Sequence, residues 1–121
     1  MVKLFITSLL LIVATISGDV SASLNAGNAK TLSSYFHVSV ELSILDEESV
    51  YSKTQAEQIL KKFFKEHPVV KYESVHVGNA KDGSAFEIGN LVTKSATYRT
   101  YFLLKGNGSA QEIHQFRIED E

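Results

Sequence analysis

SKTQAEQILKKFFKEH, residues 52 to 67, is the stretch on which the reading of the fold turns. Ala56, Ile59, Leu60, Phe63 and Phe64 recur at i, i+3, i+4, i+7 and i+8, which gathers all five on one face of a helix. Ser52 can cap the first turn through its hydroxyl, and Gln55, three residues on, completes a capping box. Pro68 has no amide hydrogen for the helical ladder and pushes His67 toward extended backbone, so the helix stops there. A helix with one wide apolar face needs a second layer to bury it.

The surrounding chain supplies that layer. Upstream, Val38, Val40, Leu42 and Ile44 share one parity in His37 to Leu45, and His37, Ser39, Glu41 and Ser43 share the other, the pattern of a half-buried strand. The acidic run from Asp46 to Ser49 reads as a solvated turn. Downstream, extended segments are predicted over Val69 to Val77, Ser84 to Thr93, Ala96 to Lys105 and Ala110 to Glu119, with hairpin-sized connections rich in Gly and Asn. Gly89, inside the second of these, is expected to permit a bulge or a sharp bend that lets the sheet curl. Before the strands, Val20 and Leu24 predict a short helix ending at Gly27, and Asn28 is placed to cap a second carrying Ala29 and Leu32. Helices followed by hairpins predict an α+β domain, with a sheet of about five strands.

Composition limits the chain to one core: 121 residues, 44% of them hydrophobic. Charges nearly balance, 12 basic against 14 acidic, so the basic field of a general nucleic-acid binder is missing. The chain has no cysteine, which excludes disulfides and thiolate metal sites. Residues 4 to 16, LFITSLLLIVATI, follow Lys3 as an uncharged apolar run shorter than a comfortable bilayer span. Residues 1 to 17 are therefore expected to be a signal peptide, ahead of a single domain over 18 to 121 that is periplasmic or secreted. A membrane anchor and a buried first helix are the competing readings of that run. No stable membrane span is expected after cleavage.

Four segments carry a family likeness: GNAKTLSSYF from Gly27, YSKTQAEQILKKFF from Tyr51, GNLVTKSATYRTYFLLK from Gly89 and IHQFRIE from Ile113. Together, from about Gly18 to Glu119, they resemble the bacterial domain-of-unknown-function family 4783, small exported proteins of the nuclear-transport-factor-2-like superfamily. The resemblance implies a cystatin-like, cone-shaped α+β roll, with amino-terminal helices packed on a strongly curved sheet. The superfamily includes ketosteroid isomerase, scytalone dehydratase and polyketide cyclases beside non-catalytic binders. No catalytic motif of theirs maps onto this chain, and a shared fold does not bring a shared reaction.

Candidate site residues come from strand parity. Tyr98, Thr100, Phe102 and Leu104 share one face, as do His114, Phe116 and Ile118. If Phe102 and Phe116 mark the core side, Tyr98 and His114 line the same concavity, with Phe63 of the helix opposite; a phenol and an imidazole there could orient a ligand or move a proton, with Glu87 as the nearby carboxylate. The competing structural reading makes these aromatics ordinary core residues and turns Glu87 to water. Arg99 and Arg117 read either as a charged ladder across neighbouring strands or as guanidinium groups for an anionic ligand. His37, His67, His76 and His114 show no local metal spacing, so neither metal nor cofactor is expected.

The expected function is a non-catalytic module binding a small apolar ligand or an envelope protein. An isomerase-, dehydratase- or cyclase-like enzyme using Tyr98, His114 and Glu87 is the alternative, and a homodimer formed through the outer sheet face is a third reading. Export is checked by amino-terminal sequencing of protein from its native cell. The chain should begin near residue 18; a start at Met1 removes the export reading.

Overall fold

The computed structural model describes residues 16 to 121; the expected leader falls outside the described residues up to residue 15. Two helices come first, α1 (Ser17–Ala26) and α2 (Ala29–Ser33), followed by β1 (Phe36–Ile44), β2 (Glu47–Ser52) and the long helix α3 (Lys53–Glu66). Strands β3 (Val69–Asn79), β4 (Ala85–Thr93), β5 (Thr97–Lys105) and β6 (Glu112–Asp120) complete the chain. Among the described residues, no helix is long and apolar enough to cross a membrane.

The helices start and stop where the sequence marks them. Gly27 takes the left-handed conformation at the end of α1, with φ 61°, and its amide and that of Asn28 return to Leu24 and Ser23 carbonyls. Asn28 Oδ1 then accepts from the Thr31 amide at 3.1 Å to start α2. Both halves of the Ser52–Gln55 capping box form, at 3.0 and 3.2 Å. Ala56, Leu60, Phe63 and Phe64 are buried beneath α3, with Ile59 at the margin.

The sheet corrects the expected architecture. It has six strands, not about five, in the order β2-β1-β6-β5-β4-β3. The additional strand is the acidic run read as a turn: Glu47–Ser52 pairs antiparallel with β1, from Ile44↔Glu47 to Ser39↔Ser52, and the turn shrinks to Leu45 and Asp46. As a mostly exposed edge strand, β2 has no alternating apolar residues to advertise it, and its charges discourage pairing with another chain. The sheet is open, with β2 and β3 at separate edges, and it is not the strongly curved cone that the resemblance implies.

Gly89 stands beside an irregularity of the kind expected there: β3 carries an extra residue, Val75, against β4 just past the Gly89↔Ser74 pair. The β4–β5 register runs unbroken through Gly89↔Thr100, and on its other side Gly89 pairs with Ser74. The missing side chain also makes room for the Tyr72 ring, which a Cβ at position 89 would overlap. On the β3 side the ladder that contains Gly89↔Ser74 is irregular at its very next step, between Ser74 and His76, and β1 slips against β6 between Phe36 and Glu41. Val38, at that second irregularity, is 73% exposed, although its parity predicted burial.

The space between helices and sheet is filled. Phe36 and Phe102 flank Phe116 with ring centroids 6.0 and 6.3 Å away, and all three are inaccessible to solvent. Val20, Leu24, Leu32 and Leu60 close the layer from the helices. Because the Tyr72 ring is packed and cannot yield cheaply, Gly89→Ala should destabilise the fold by about 1 to 3 kcal/mol. Urea unfolding checks this, and combining it with Tyr72→Ala should cost less than the two separate losses together, since the second change removes the overlap.

Candidate functional site

The helices cover one face of the sheet and leave the other open. On that open face, β5 and β6 place Arg99, Tyr101, Gln115, Arg117 and Glu119 around a cleft of about 270 Å³, with Ile88 of β4 at its wall. Register explains the convergence: Arg99 faces Glu119 and Tyr101 faces Arg117 across one ladder, while Ile88 faces Tyr101 across the next. The Arg117 guanidinium lies over the Tyr101 ring, 5.9 Å from its centroid. With the Gln115 amide turned so that its oxygen faces Arg117, it accepts from Nε at 3.2 Å and from Nη2 at 2.7 Å. Glu119 stands 4.0 Å from Arg117, a distance that contributes little on a half-exposed surface. Arg99 enters no ion pair among the described residues.

A second cleft of about 350 Å³ adjoins it on the same face, between β1, β5 and β6, and includes His37, Glu41, Lys105, His114 and Gln115. His37 and His114 stack with centroids 4.2 Å apart and planes inclined by 15°. Glu112 Oε1 is 3.3 Å from His37 Nδ1. Partial burial, with His37 and the Lys105 ammonium nearby, holds the His114 imidazole below its ordinary pKa.

These positions split the residues that sequence parity had grouped. The β5–β6 register shifts between Leu103↔Gln115 and Leu104↔Ile113, which leaves His114 as an extra residue. Ile113 takes the inward position, fully buried, and His114 lies on the open face. Tyr98 stays inward, 6% exposed, with its hydroxyl 3.3 Å from His67 Nδ1 and its ring edge-on to Phe63 at 5.4 Å. Phe63, Phe102 and Phe116 belong to the packed core. The expected Tyr98–His114 pair is therefore corrected: its members stand on opposite sides of the sheet. Arg99 alone of the expected ligand-binding set lines the first cleft.

Glu87 does not face water either. It is 4% exposed, beneath α1, and its Oε2 accepts from the Tyr72 hydroxyl and, at 3.0 Å, from Ser21 Oγ. A buried carboxylate needs such donors, because the fold has removed it from water. Burial, reinforced by this carboxylate, raises the Tyr72 phenol pKa well above its ordinary value. Asn25 Oδ1 on α1 accepts from the Tyr72 amide at 3.1 Å, so helix, strand and carboxylate are joined at one point.

Comparison with known proteins places this architecture. The sequence profile of the domain of unknown function DUF4783 matches residues 17–119. The chain belongs to the DUF4783 family. A crystallised DUF4783 protein from Bacteroides uniformis is 28% identical, covering 88% of this chain and 98% of its own, with a TM-score of 0.81. One from Bacteroides ovatus is 27% identical over 84% of this chain and 92% of its own, with a TM-score of 0.78. Beyond the family, a Catenulispora acidiphila protein with a ketosteroid isomerase-like fold, crystallised with trimethylamine, is 14% identical over 85% of this chain and 82% of its own, with a TM-score of 0.64. At that identity the likeness concerns fold alone. No curated protein matches the chain. The chain thus shares the α+β architecture of the crystallised DUF4783 proteins.

Two groups escaped the sequence reading. Tyr72 carried no signal, because its importance comes from contact with Gly89 and Glu87 on the next strand. The Glu112/His114 spacing on one strand was visible, but His37 joins it only through the pairing of β1 with β6. The Tyr72 phenol pKa is higher folded than unfolded, so its stabilising contribution is complete below about pH 10 and declines as pH rises above that value. Urea midpoints between pH 8 and 11 should fall more steeply for the wild type than for Tyr72→Phe. At pH 8 that variant should be weaker by about 1 to 3 kcal/mol, since Glu87 loses a donor.

Proposed function

We propose that the protein is a non-catalytic binding module that holds a small, partly apolar ligand bearing a carboxylate in the cleft of Arg99, Tyr101 and Arg117. One observation carries the reading: a guanidinium already laid on an aromatic ring and held by Gln115 stands in the same cleft as a second guanidinium with no ion-pair partner among the described residues. A planar guanidinium recognises a carboxylate through two parallel hydrogen bonds, and orienting it beforehand lowers the entropy lost on binding. Ile88 and the exposed part of Tyr101 offer apolar contact to the rest of the ligand. The volume lies just below the roughly 300 to 1,000 Å³ of drug-sized sites, which suits a single ring with a short acidic arm.

The filled core supports an external site over an internal one, and the separation of Tyr98 from His114 supports binding over proton transfer. The apolar run after Lys3 supports placing this module outside the cytoplasm.

Benzoate and the uncharged benzyl alcohol are the probes, titrated into 15N-labelled protein. Benzoate should shift the amide signals of Tyr101 and Arg117, and benzyl alcohol should bind more weakly. Arg99→Gln and Arg117→Gln should each weaken benzoate about tenfold, the loss expected for one charge-assisted hydrogen bond. Equal binding of both probes, or shifts confined to other surfaces, overturns the reading.

A further inference from the structure

We propose that His37, Glu112 and His114 form a binding site for a divalent transition metal ion of the zinc class on the open face of the sheet. Their ligand atoms, two imidazole nitrogens and one carboxylate oxygen, all lie within 4.8 Å of one another. Zinc bonds of about 2.0 to 2.2 Å in tetrahedral geometry set ligand atoms roughly 3.3 Å apart, so the group has to close by about 1.5 Å at most. His37 and Glu112 side chains are 36% and 44% exposed, and the His37–Glu112 approach is already 3.3 Å. The rings are stacked with centroids 4.2 Å apart and planes inclined by only 15°, so at least one imidazole has to turn about χ2 for both nitrogens to meet one ion.

Backbone placement makes the group more than a chance surface encounter. Glu112 and His114 alternate along β6, flanking Ile113, whose side chain anchors that strand in the core. His37 follows Phe36, the residue of β1 paired in register with Ile113. Two buried anchors, Phe36 and Ile113, thus hold the three ligands from neighbouring strands. Nitrogen donors favour zinc or its transition-metal neighbours over calcium or magnesium, which prefer all-oxygen sites. Glu41 adds negative charge to the same cleft, and Lys105, paired with Glu112 across β5 and β6, opposes the cation. Three protein ligands leave at least one coordination position for water or another molecule.

Zinc chloride titrated calorimetrically into the untagged full chain at pH 7.5 tests the site, with circular dichroism confirming that each variant is folded. One ion per chain is expected. Glu112→Gln and His114→Gln should each weaken binding about tenfold or more, whereas Lys105→Gln should tighten it by removing a like charge. Zinc-edge absorption spectroscopy should report two imidazoles in the first shell. The site is overturned if folded Glu112→Gln and His114→Gln both bind within about twofold of the parent, if His76→Gln abolishes binding instead, or if Lys105→Gln weakens it. Absence of a zinc heat at about 0.1 mM also overturns it. None of these outcomes bears on benzoate recognition, which rests on Arg99 and Arg117.

Discussion

The parallel pairing of β1 with β6 joins what would otherwise be two separate antiparallel units, the β1–β2 hairpin and the β3–β4–β5–β6 meander. Each unit alone would expose a long edge and half of an aromatic core. Joined, they set Phe36 against Phe116 and let α3, which packs on β1 and β2, reach Tyr98 of β5 through Phe63. The same pairing brings His37 beside His114. It has to close a loop of more than 70 residues, so the interactions that reward it must outweigh a real entropic cost. The wholly buried residues Leu42, Phe116 and Ile118 lie along its regular portion, where that reward is concentrated.

Local features were legible because they are written in adjacent residues. The capping box, Pro68 and the helical spacing of Leu60 and Phe63 define α3, while Gly27 and Asn28 punctuate the first two helices. The four carboxy-terminal segments showed themselves by alternation, and the family likeness placed the roll. Legibility ended where tertiary context chose between equivalent local readings. A polar edge strand and a polar turn share a composition, so β2 passed for a turn. A single inserted residue reverses which side of a strand later residues occupy, and the slip near His114 undid its grouping with Tyr98. Arg99 and Arg117 were visible as a pair, but their cleft depends on Tyr101 and Gln115 from the intervening register.

The two faces of the sheet have divided their labour. Inside, polar groups are matched to partners: Glu87 to Tyr72 and Ser21, Tyr98 to His67, and Thr100 Oγ1 to the Gly89 carbonyl at 3.2 Å. Outside, arginines, histidines and a tyrosine remain within reach of solvent. The layer that the resemblance casts as an internal binding cone is here packed solid, and the clefts lie on the opposite face. Such a surface can change its side chains while leaving the core packing intact, because alternate positions of β5 and β6 serve the two sides independently.

Ser52 ends β2 and caps α3 at once, with no linker between them. This shared residue acts as a ratchet stop on strand register. With α3 held by its buried face, sliding β2 along β1 by one position would pull the Ser52 hydroxyl away from the Gln55 amide and turn Tyr51 out of its place, so the edge strand resists creep for as long as the helix stays docked and capped. An otherwise weakly specified edge is kept in phase by a hydrogen bond that belongs to the neighbouring layer.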